Sequence, residues 1–480
     1  MISVSPRHKA IVSFAILVTF VLLFAGYIRP AFGQSVNVVL TTPDQTSLLA
    51  PQTPLTFASG TAAQLAINID DTITYQRLEG VGGSFTDSSA YLVWTKLTPA
   101  QRNQLMNDLF NQQGIRLSFL RQPMGASDFA VNGNYSYDDV PTGQTDPTLT
   151  NFSISHDTAY IIPLLAQART INPAVKIVAV PWSPPAWMKT NGSMKGGNMI
   201  TADFPSFAQY FVKFLQAYQQ QGIPIYAISV QNEPLNSTNS YPSELLTATD
   251  QSDFIASHLG PALNIAGLTE TKIFGYEHNW DNTGYPETIL GSAAGNFLAG
   301  TAFHCYAGDV SAQSTVQTAY PGKGLWFTEC SGTVGSNFAG DLVWNSQHLL
   351  IGATRNWARS VSLWNLALDQ DSGPKNGGCP DCRGVVTIDT TTTPSTIMRN
   401  VEYYVLGHLG KFVVPGAVRI ASNTFGAGSI EDVAFQNPDG SIVLVALNSS
   451  SSTQAFTVNW QIKTFNYSLP AQSVATFEWK

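Results

Sequence analysis

Tyr226-Ala227-Ile228-Ser229-Val230-Gln231-Asn232-Glu233-Pro234 is the stretch on which the reading of this chain turns. Ala227, Ile228 and Val230 form a short apolar run with a β-branched bias, as a buried strand requires. Pro224 precedes it, and Pro234 ends it by removing a backbone donor. Glu233 is thereby set at the carboxyl end of a core strand, with the neutral amide of Asn232 beside it. In a (β/α)8 barrel that end is the catalytic face. A lone Asn-Glu-Pro could equally cap a strand at a turn, so the neighbouring strands have to decide.

Strand and helix patterns alternate on both sides of this stretch. Upstream, Gly80 to Asp87 precedes a helix opened by Thr98 and Pro99. Ile115 to Met124 and Val175 to Pro181 read as strands two and three, with helices from about Asp157 and Phe204. Downstream come Lys272 to His278, Thr301 to Tyr306, Leu325 to Glu329 and Val361 to Leu366. Helices are expected near Pro242 to Ile265, Asp341 to Ala358 and Met398 to Leu409. Eight alternations predict an α/β fold of the TIM-barrel type rather than a doubly wound sheet. Strand-like segments without helices flank the barrel, from Val36 to Leu78 and from Ala417 to Trp479. They predict an all-β sandwich built from both chain ends, which would satisfy the free edges of the early strands. The expected layout is 34–79 for the N-terminal strands, 80–412 for the barrel and 413–480 for the sandwich.

Residues 1–33 carry an address. Arg7, His8 and Lys9 precede an apolar run, residues 10–28, followed by Pro30 to Gln34. This is a secretory signal pattern. The run is long enough to compete as an uncleaved membrane anchor, which needs about 20 residues. Either reading exports the remainder, to the cell exterior or the periplasm. Charged residues are only 12% of the chain and the formal net charge is −8, which argues against a nucleic-acid partner. Cys379 and Cys382 form a close pair in a Gly/Pro loop, read as a local disulfide ahead of half a zinc site. Cys305 and Cys330 lie in apolar strand-like runs and are expected as small core residues.

The residues at the strand ends indicate the chemistry. They are Asp87; Arg121, with Asp128 beyond it; Trp182; Asn232 and Glu233; Glu277, His278 and Trp280; His304 and Tyr306; Glu329; and Trp364 with Asn365. Carboxylates, amides and aromatic rings on one rim suit a sugar, whose ring has apolar faces and whose hydroxyls need polar partners. No phosphate-binding loop, nucleophile elbow or zincin pair is present. Glutamates on opposed strands four and seven suggest retaining glycoside hydrolysis, which needs two carboxyl groups about 5–5.5 Å apart. In such a pair the acid should have its pKa raised by its charged neighbour, so Glu233 is expected to titrate high beside Glu329. Asp87 is expected as a structural rim carboxylate.

Several stretches carry a family resemblance. They are Gly82-Gly83-Ser84-Phe85-Thr86-Asp87, Arg121-Gln122-Pro123-Met124 through Asp128-Phe129, and Val180-Pro181-Trp182-Ser183-Pro184-Pro185-Ala186-Trp187-Met188-Lys189. Ser229 through Pro234, Phe327-Thr328-Glu329 and Trp364-Asn365-Leu366-Ala367-Leu368 complete the set. Together these resemble glycoside hydrolase family 30, the glucosylceramidase-like enzymes. The resemblance implies a barrel fused to a sandwich, with Glu233 as acid/base and Glu329 as nucleophile. It also implies a first sugar subsite lined by Asp128, Trp182, Asn232, His304, Tyr306 and Trp364, although His304 could equally be a core histidine that holds Glu329 in place. Arg121 and His278 are expected behind the groups that touch sugar, and no metal or organic cofactor is required. The Gly377 to Gly384 loop resembles bacterial and fungal members, including β-1,6-glucanases. The implied substrate is a β-linked glucoside, either a glucan or a glycolipid, cleaved by double displacement. Alternatives are a xylan- or fucoside-directed member of the family, or a carbohydrate-binding barrel without catalysis.

Overall fold

The computed structural model describes residues 1–3, 34–58 and 63–480. The run read as a signal or anchor lies outside the described residues. Among these residues no helix is long and apolar enough to cross a membrane.

Eight parallel strands close on themselves in sequence order. They are Gly80–Ser84, Phe119–Pro123, Lys176–Val180, Ala227–Ser229, Lys272–Trp280, Leu298–Gly308, Gly324–Glu329 and Ala358–Asn365. Each is a strand expected from the sequence, with ends shifted by a few residues. The helix after the first strand, Pro99–Phe110, starts as its sequence dictates. Thr98 accepts from the Gln101 backbone and the Gln101 side chain reaches back to the Thr98 N–H, with Pro99 at the first turn. Met398 falls in a short strand, Thr396–Arg399, so the last helix begins later, at Val401–Gly410.

Strand alternation sorts the barrel side chains into an inner and an outer set. Phe119, Val178, Ala227, Phe274, Ala302 and Trp326 pack together in the inner layer. Phe274 lies on Trp326 with ring centroids 3.7 Å apart. Two residues further along the second strand, on the same face, stands Arg121. It is fully buried.

The fifth and seventh strands depart from alternation, and the departure builds the site. Counting by two from Phe274 would turn Glu277 away from the barrel axis. Tyr276 and Glu277 instead take left-handed φ values of +67° and +64°, which shifts the phase and turns Glu277 inward. Between strands six and seven, Phe303 pairs with Phe327 but His304 pairs with Glu329. Thr328 is skipped, and Glu329 comes to the inner face.

That same shift corrects the expectation for Cys305 and Cys330. With His304 opposite Glu329, the next residue on each strand also faces the other. Their Cα atoms are 5.4 Å apart and they are joined as a disulfide, within the span a disulfide bridges. Cys379 and Cys382 form a second disulfide.

The sandwich draws on both chain ends. Ser35–Thr41 pairs antiparallel with Ser473–Trp479, and Leu65–Arg77 lies between Val418–Ser422 and Gln454–Trp460. The run Ile442 to Leu447 is apolar throughout because it is covered on both faces. Ile442, Leu444 and Ala446 enter the sandwich core, while Val443, Val445 and Leu447 pack on the barrel side. The strand Lys463–Leu469 was not read from sequence; it pairs with Gln454–Trp460 at the edge of the sheet.

His408, on the last barrel helix, fastens the two parts. Its Nδ1 meets Thr476 Oγ1 at 2.9 Å, and that hydroxyl donates to the His408 carbonyl. Nδ1 is therefore the donor. Nε2 meets Thr41 Oγ1 at 2.8 Å and, in the neutral ring, accepts. Burial drives its pKa down from 6.5 to about 3. The unfolded chain binds this proton near pH 6.5 and the folded one does not. Stability should therefore fall as pH drops from 6.5 towards 3, at about 1.4 kcal/mol per pH unit. His408→Gln keeps a donor and an acceptor but cannot titrate. Urea melts across that range should show a shallower acid slope in the variant, and equal slopes would refute the assignment.

Candidate active site

At the carboxyl ends of the strands lies a cavity of ≈ 640 Å³. Its wall includes Asp128, Trp182, Asn232, Glu233, Tyr306, Glu329 and Trp364. Its geometry begins with Arg121, whose planar fork carries five N–H donors. Nε bonds Glu277 at 3.0 Å, one terminal nitrogen bonds Glu329, and the other bonds Asn232 Oδ1 at 2.6 Å. The guanidinium lies 4.8 Å from the Trp182 ring and 5.2 Å from that of Trp364. Those two indoles stack at 4.7 Å. With its oxygen committed to Arg121, Asn232 turns its amide N–H group to the cavity.

Glu233 and Glu329 come together above this base. One carboxylate oxygen of each, with a ring nitrogen of His304, all lie within 4.8 Å of one another. Glu329 accepts from Arg121 on one oxygen and from the Tyr306 hydroxyl, at 2.9 Å, on the other. Glu233 has His304 Nδ1 at 3.1 Å from Oε1, while Oε2 accepts from Asn236 Nδ2 at 2.7 Å. Its backbone takes φ +45°, a conformation disfavoured for a side-chain-bearing residue and typical of functional sites. The Glu233 N–H donates to the Glu277 carbonyl, and its own carbonyl accepts from Asn236 N–H. These bonds hold the strained turn.

Two expectations need correction. His304 does not reach the cavity wall. Its ring is fully buried beneath the two glutamates, with Nδ1 against Glu233 and Nε2 3.2 Å from Glu277. Any influence on sugar passes through the carboxylates. Glu233, expected to titrate high beside Glu329, does the reverse. Burial pushes it up, but the His304 hydrogen bond and charge, aided by His278 and Asn236, outweigh burial and bring it to about 2. His304 in turn is raised to about 9: burial opposes, and Glu329, Glu233 and Glu277 prevail. The carboxyl that burial and neighbouring charge do raise is Asp128, through desolvation and then Glu329 and Glu233. A neutral Asp128 can donate a hydrogen bond.

Arg121 is fully buried behind Asn232, Glu329 and the two indoles. His278 stands on the cavity wall rather than behind it, and its Nδ1 is buried without a partner among the described residues. Asp87 accepts from Val131 N–H, Tyr160 and His156, a structural set. Glu277 was read at the rim from sequence without a role, and two residues, Asn236 and Tyr241, were not singled out. Glu277 is held near 2, burial opposing and Arg121 and His304 prevailing; its sequence trace was a carboxylate in an apolar strand. Asn236 and Tyr241 lie beyond Pro234 on an irregular segment with no periodicity to place them. A divalent cation would find donor atoms on Glu233, His304 and Glu329, but both imidazole nitrogens already face carboxylates.

The disulfide loop walls the other side. Asp128 carbonyl accepts from the Asn376 and Gly378 N–H groups, so the loop is pinned to the strand-two connection. A side chain on Gly378 would meet the Asp128 carbonyl at 2.8 Å, and one on Gly377 (φ +80°) the Ser240 carbonyl at 2.2 Å. Only glycine lets the loop approach this closely.

A strained barrel-mouth glutamate, a second one opposite it, and aromatic and amide groups around both define a glycosidase site. The comparisons agree. The glycosyl hydrolase family 30 TIM-barrel domain matches residues 78–413, and that family's β-sandwich domain matches residues 416–477. The chain belongs to glycoside hydrolase family 30 and is a glycosyl hydrolase acting on a glycoside. It is 39% identical over 406 residues to an endo-1,6-β-D-glucanase of Neurospora crassa, covering 81% of this chain and 82% of that one. It is 29% identical over 447 residues to the lysosomal acid glucosylceramidase of Mus musculus, covering 88% and 85%. A solved endo-β1,6-glucanase superposes with a TM-score of 0.86 at 33% identity, over 93% of this chain and 99% of that one.

Removing the Glu277 carboxylate should strand two buried cations. Glu277→Ala is expected to cost about 3–5 kcal/mol of stability, the range for breaking a buried ion pair, and to lower kcat. Urea denaturation with a kinetic assay measures both. Wild-type stability in the variant would show that Arg121 and His304 do not depend on it.

Proposed function

We propose that this enzyme is an exported retaining β-glycosidase whose substrate is β-1,6-linked glucan. The observation that carries the mechanism is the approach of Glu233 and Glu329 carboxylate oxygens to within 4.8 Å. Retaining pairs stand about 5–5.5 Å apart, whereas inverting pairs leave about 6.5–9.5 Å for a water. Glu329, held by Arg121 and Tyr306, attacks the anomeric carbon. Glu233 protonates the departing oxygen, then activates the water that releases the sugar. Asn232 donates to the sugar 2-hydroxyl, a contact that strengthens as positive charge develops on the ring.

The substrate reading is supported by likeness. The Neurospora crassa relative named for β-1,6-glucan is 39% identical, against 29% for the glucosylceramidase, and the solved β1,6-glucanase shares both domains. Export is supported by the basic and apolar N-terminal pattern and by two disulfides, which persist in oxidising compartments. A membrane tether through residues 10–28 is the alternative.

The test is hydrolysis of a panel of pustulan, glucosylceramide, xylan and aryl β-glycosides, with product anomers followed by NMR. Pustulan should be cut fastest, and the first-formed sugar should be the β anomer. Early α anomer would remove the nucleophile assignment, and preference for glucosylceramide or xylan would remove the substrate. Glu329→Gln should lose activity on every substrate, by about 10⁴-fold or more. Glu233→Ala should keep turnover of dinitrophenyl glycosides and gain rate with azide. Azide rescue of the Glu329 variant alone would reverse the two roles.

A further inference from the structure

His304 has carboxylates on both sides, and a carboxylate only accepts. Nδ1 faces Glu233 Oε1 at 3.1 Å and Nε2 faces Glu277 Oε1 at 3.2 Å. A neutral imidazole has one N–H and one lone pair, so it satisfies one such neighbour and repels the other. The three groups must therefore share two protons. Glu277 is not where the second resides. It accepts from Arg121 and from Ser229 besides His304, and protonation would break into that set. The second proton belongs to the contact between His304 Nδ1 and Glu233 Oε1.

We propose that His304 holds the acid proton of the reaction in the resting enzyme and passes it to Glu233 when substrate fills the cavity. The inference rests on the double displacement proposed above, with Glu233 as the acid. In the resting site Glu233 has no reason to keep a proton of its own. Asn236 donates to Oε2 and the imidazolium donates to Oε1, and both favour the charged carboxylate. The groups facing His304 are Glu233 from the fourth strand, Glu277 from the fifth and Glu329 from the seventh. Arg121 from the second strand, His278 from the fifth and Tyr306 from its own complete the set. Three carboxylates against one guanidinium favour a protonated ring.

Sugar binding supplies the reason for transfer. It displaces the water that reaches Glu233, and a drier site disfavours an ion pair relative to its neutral tautomer. The Nδ1–H bond then breaks as an O–H bond forms on Glu233. His304 becomes neutral and keeps Nε2–H on Glu277. Glu233 gives the proton to the glycosidic oxygen, which leaves with the electron pair of its bond as Glu329 bonds the anomeric carbon. In the second half, Glu233 takes a proton from the attacking water and returns it to Nδ1. The cycle begins and ends with the proton on the ring. His304 is thus a positioning residue for the proton, acting through Glu233.

The wild-type enzyme, labelled with nitrogen-15 in histidine and carbon-13 in the glutamate carboxyls, provides the direct test. At pH 6 the free enzyme should show His304 with protons on both nitrogens and Glu233 ionised. With a thio-linked β-1,6-glucobiose bound, His304 should lose its Nδ1 proton and Glu233 should gain one. A neutral His304 beside a protonated Glu233 in the free enzyme would overturn the proposal, as would an unchanged pair on binding. A second arm is His304→Gln, which can donate to Glu233 but carries no mobile proton. The alkaline limb of kcat/KM on pustulan should move acidward by about 2 pH units. Pustulan turnover relative to dinitrophenyl β-glucoside should fall by about 10²-fold, since only the poor leaving group needs the acid. A wild-type limb and an unchanged ratio would leave His304 a merely structural residue. Labelling of Glu329 by a 2-deoxy-2-fluoroglucoside tests double displacement independently of either arm.

Discussion

The buried guanidinium of Arg121 is the group on which the site is assembled. An arginine without solvent contact is tolerated only where its charge and its donors are met. Here Glu277, Glu329 and Asn232 meet them, and the stacked Trp182 and Trp364 rings lie within 4.8 and 5.2 Å of it. Each partner comes from a different barrel strand or strand end. The residue therefore fixes Glu329, the Asn232 amide and the carboxylate under His304 relative to one another. Rigid placement of this kind is what catalysis by a positioned pair requires.

Local strain brings these partners into reach. Regular alternation would turn Glu277 and Glu329 to the outside of the barrel. The left-handed residues Tyr276 and Glu277, and the pairing that skips Thr328, rotate both inward. Glu233 takes its own left-handed turn between bonds to Glu277 and Asn236. Such conformations persist only where the surroundings over-determine them. The Cys305–Cys330 disulfide spans the two strands one residue beyond His304 and Glu329, and so ties together the strand ends that the skipped residue disturbs.

The acid pair shows why proximity alone does not set a pKa. Two carboxylates within a few ångströms would ordinarily push one of the pair up. A cation placed beneath both changes the sign for Glu233, and the elevation appears instead at Asp128, where burial and the charges of Glu329 and Glu233 outweigh that of Arg121. The sandwich stands apart from this chemistry. It covers one side of the barrel through the doubly buried strand Ile442–Asn448 and joins it through the His408 hydrogen bonds.

Much was determined by the sequence alone. The alternation of apolar strands and amphipathic helices gave eight barrel strands, because burial imposes period two or 3.6 whatever the partners are. Glu233 and Glu329 were legible because each stands at the end of an apolar run, and the motifs around them placed the chain in its family. Strand Lys463–Leu469 escaped because an edge strand buries too little to pattern its residues. The inward role of Glu277 and the Cys305–Cys330 link escaped because both depend on a phase shift, and a phase shift leaves composition unchanged. The low titration of Glu233, the burial of His304 and the exposure of His278 to the cavity were decided by tertiary structure. Each depends on which charge or wall lies within a few ångströms, and the residues that supply it come from strands far apart in the chain.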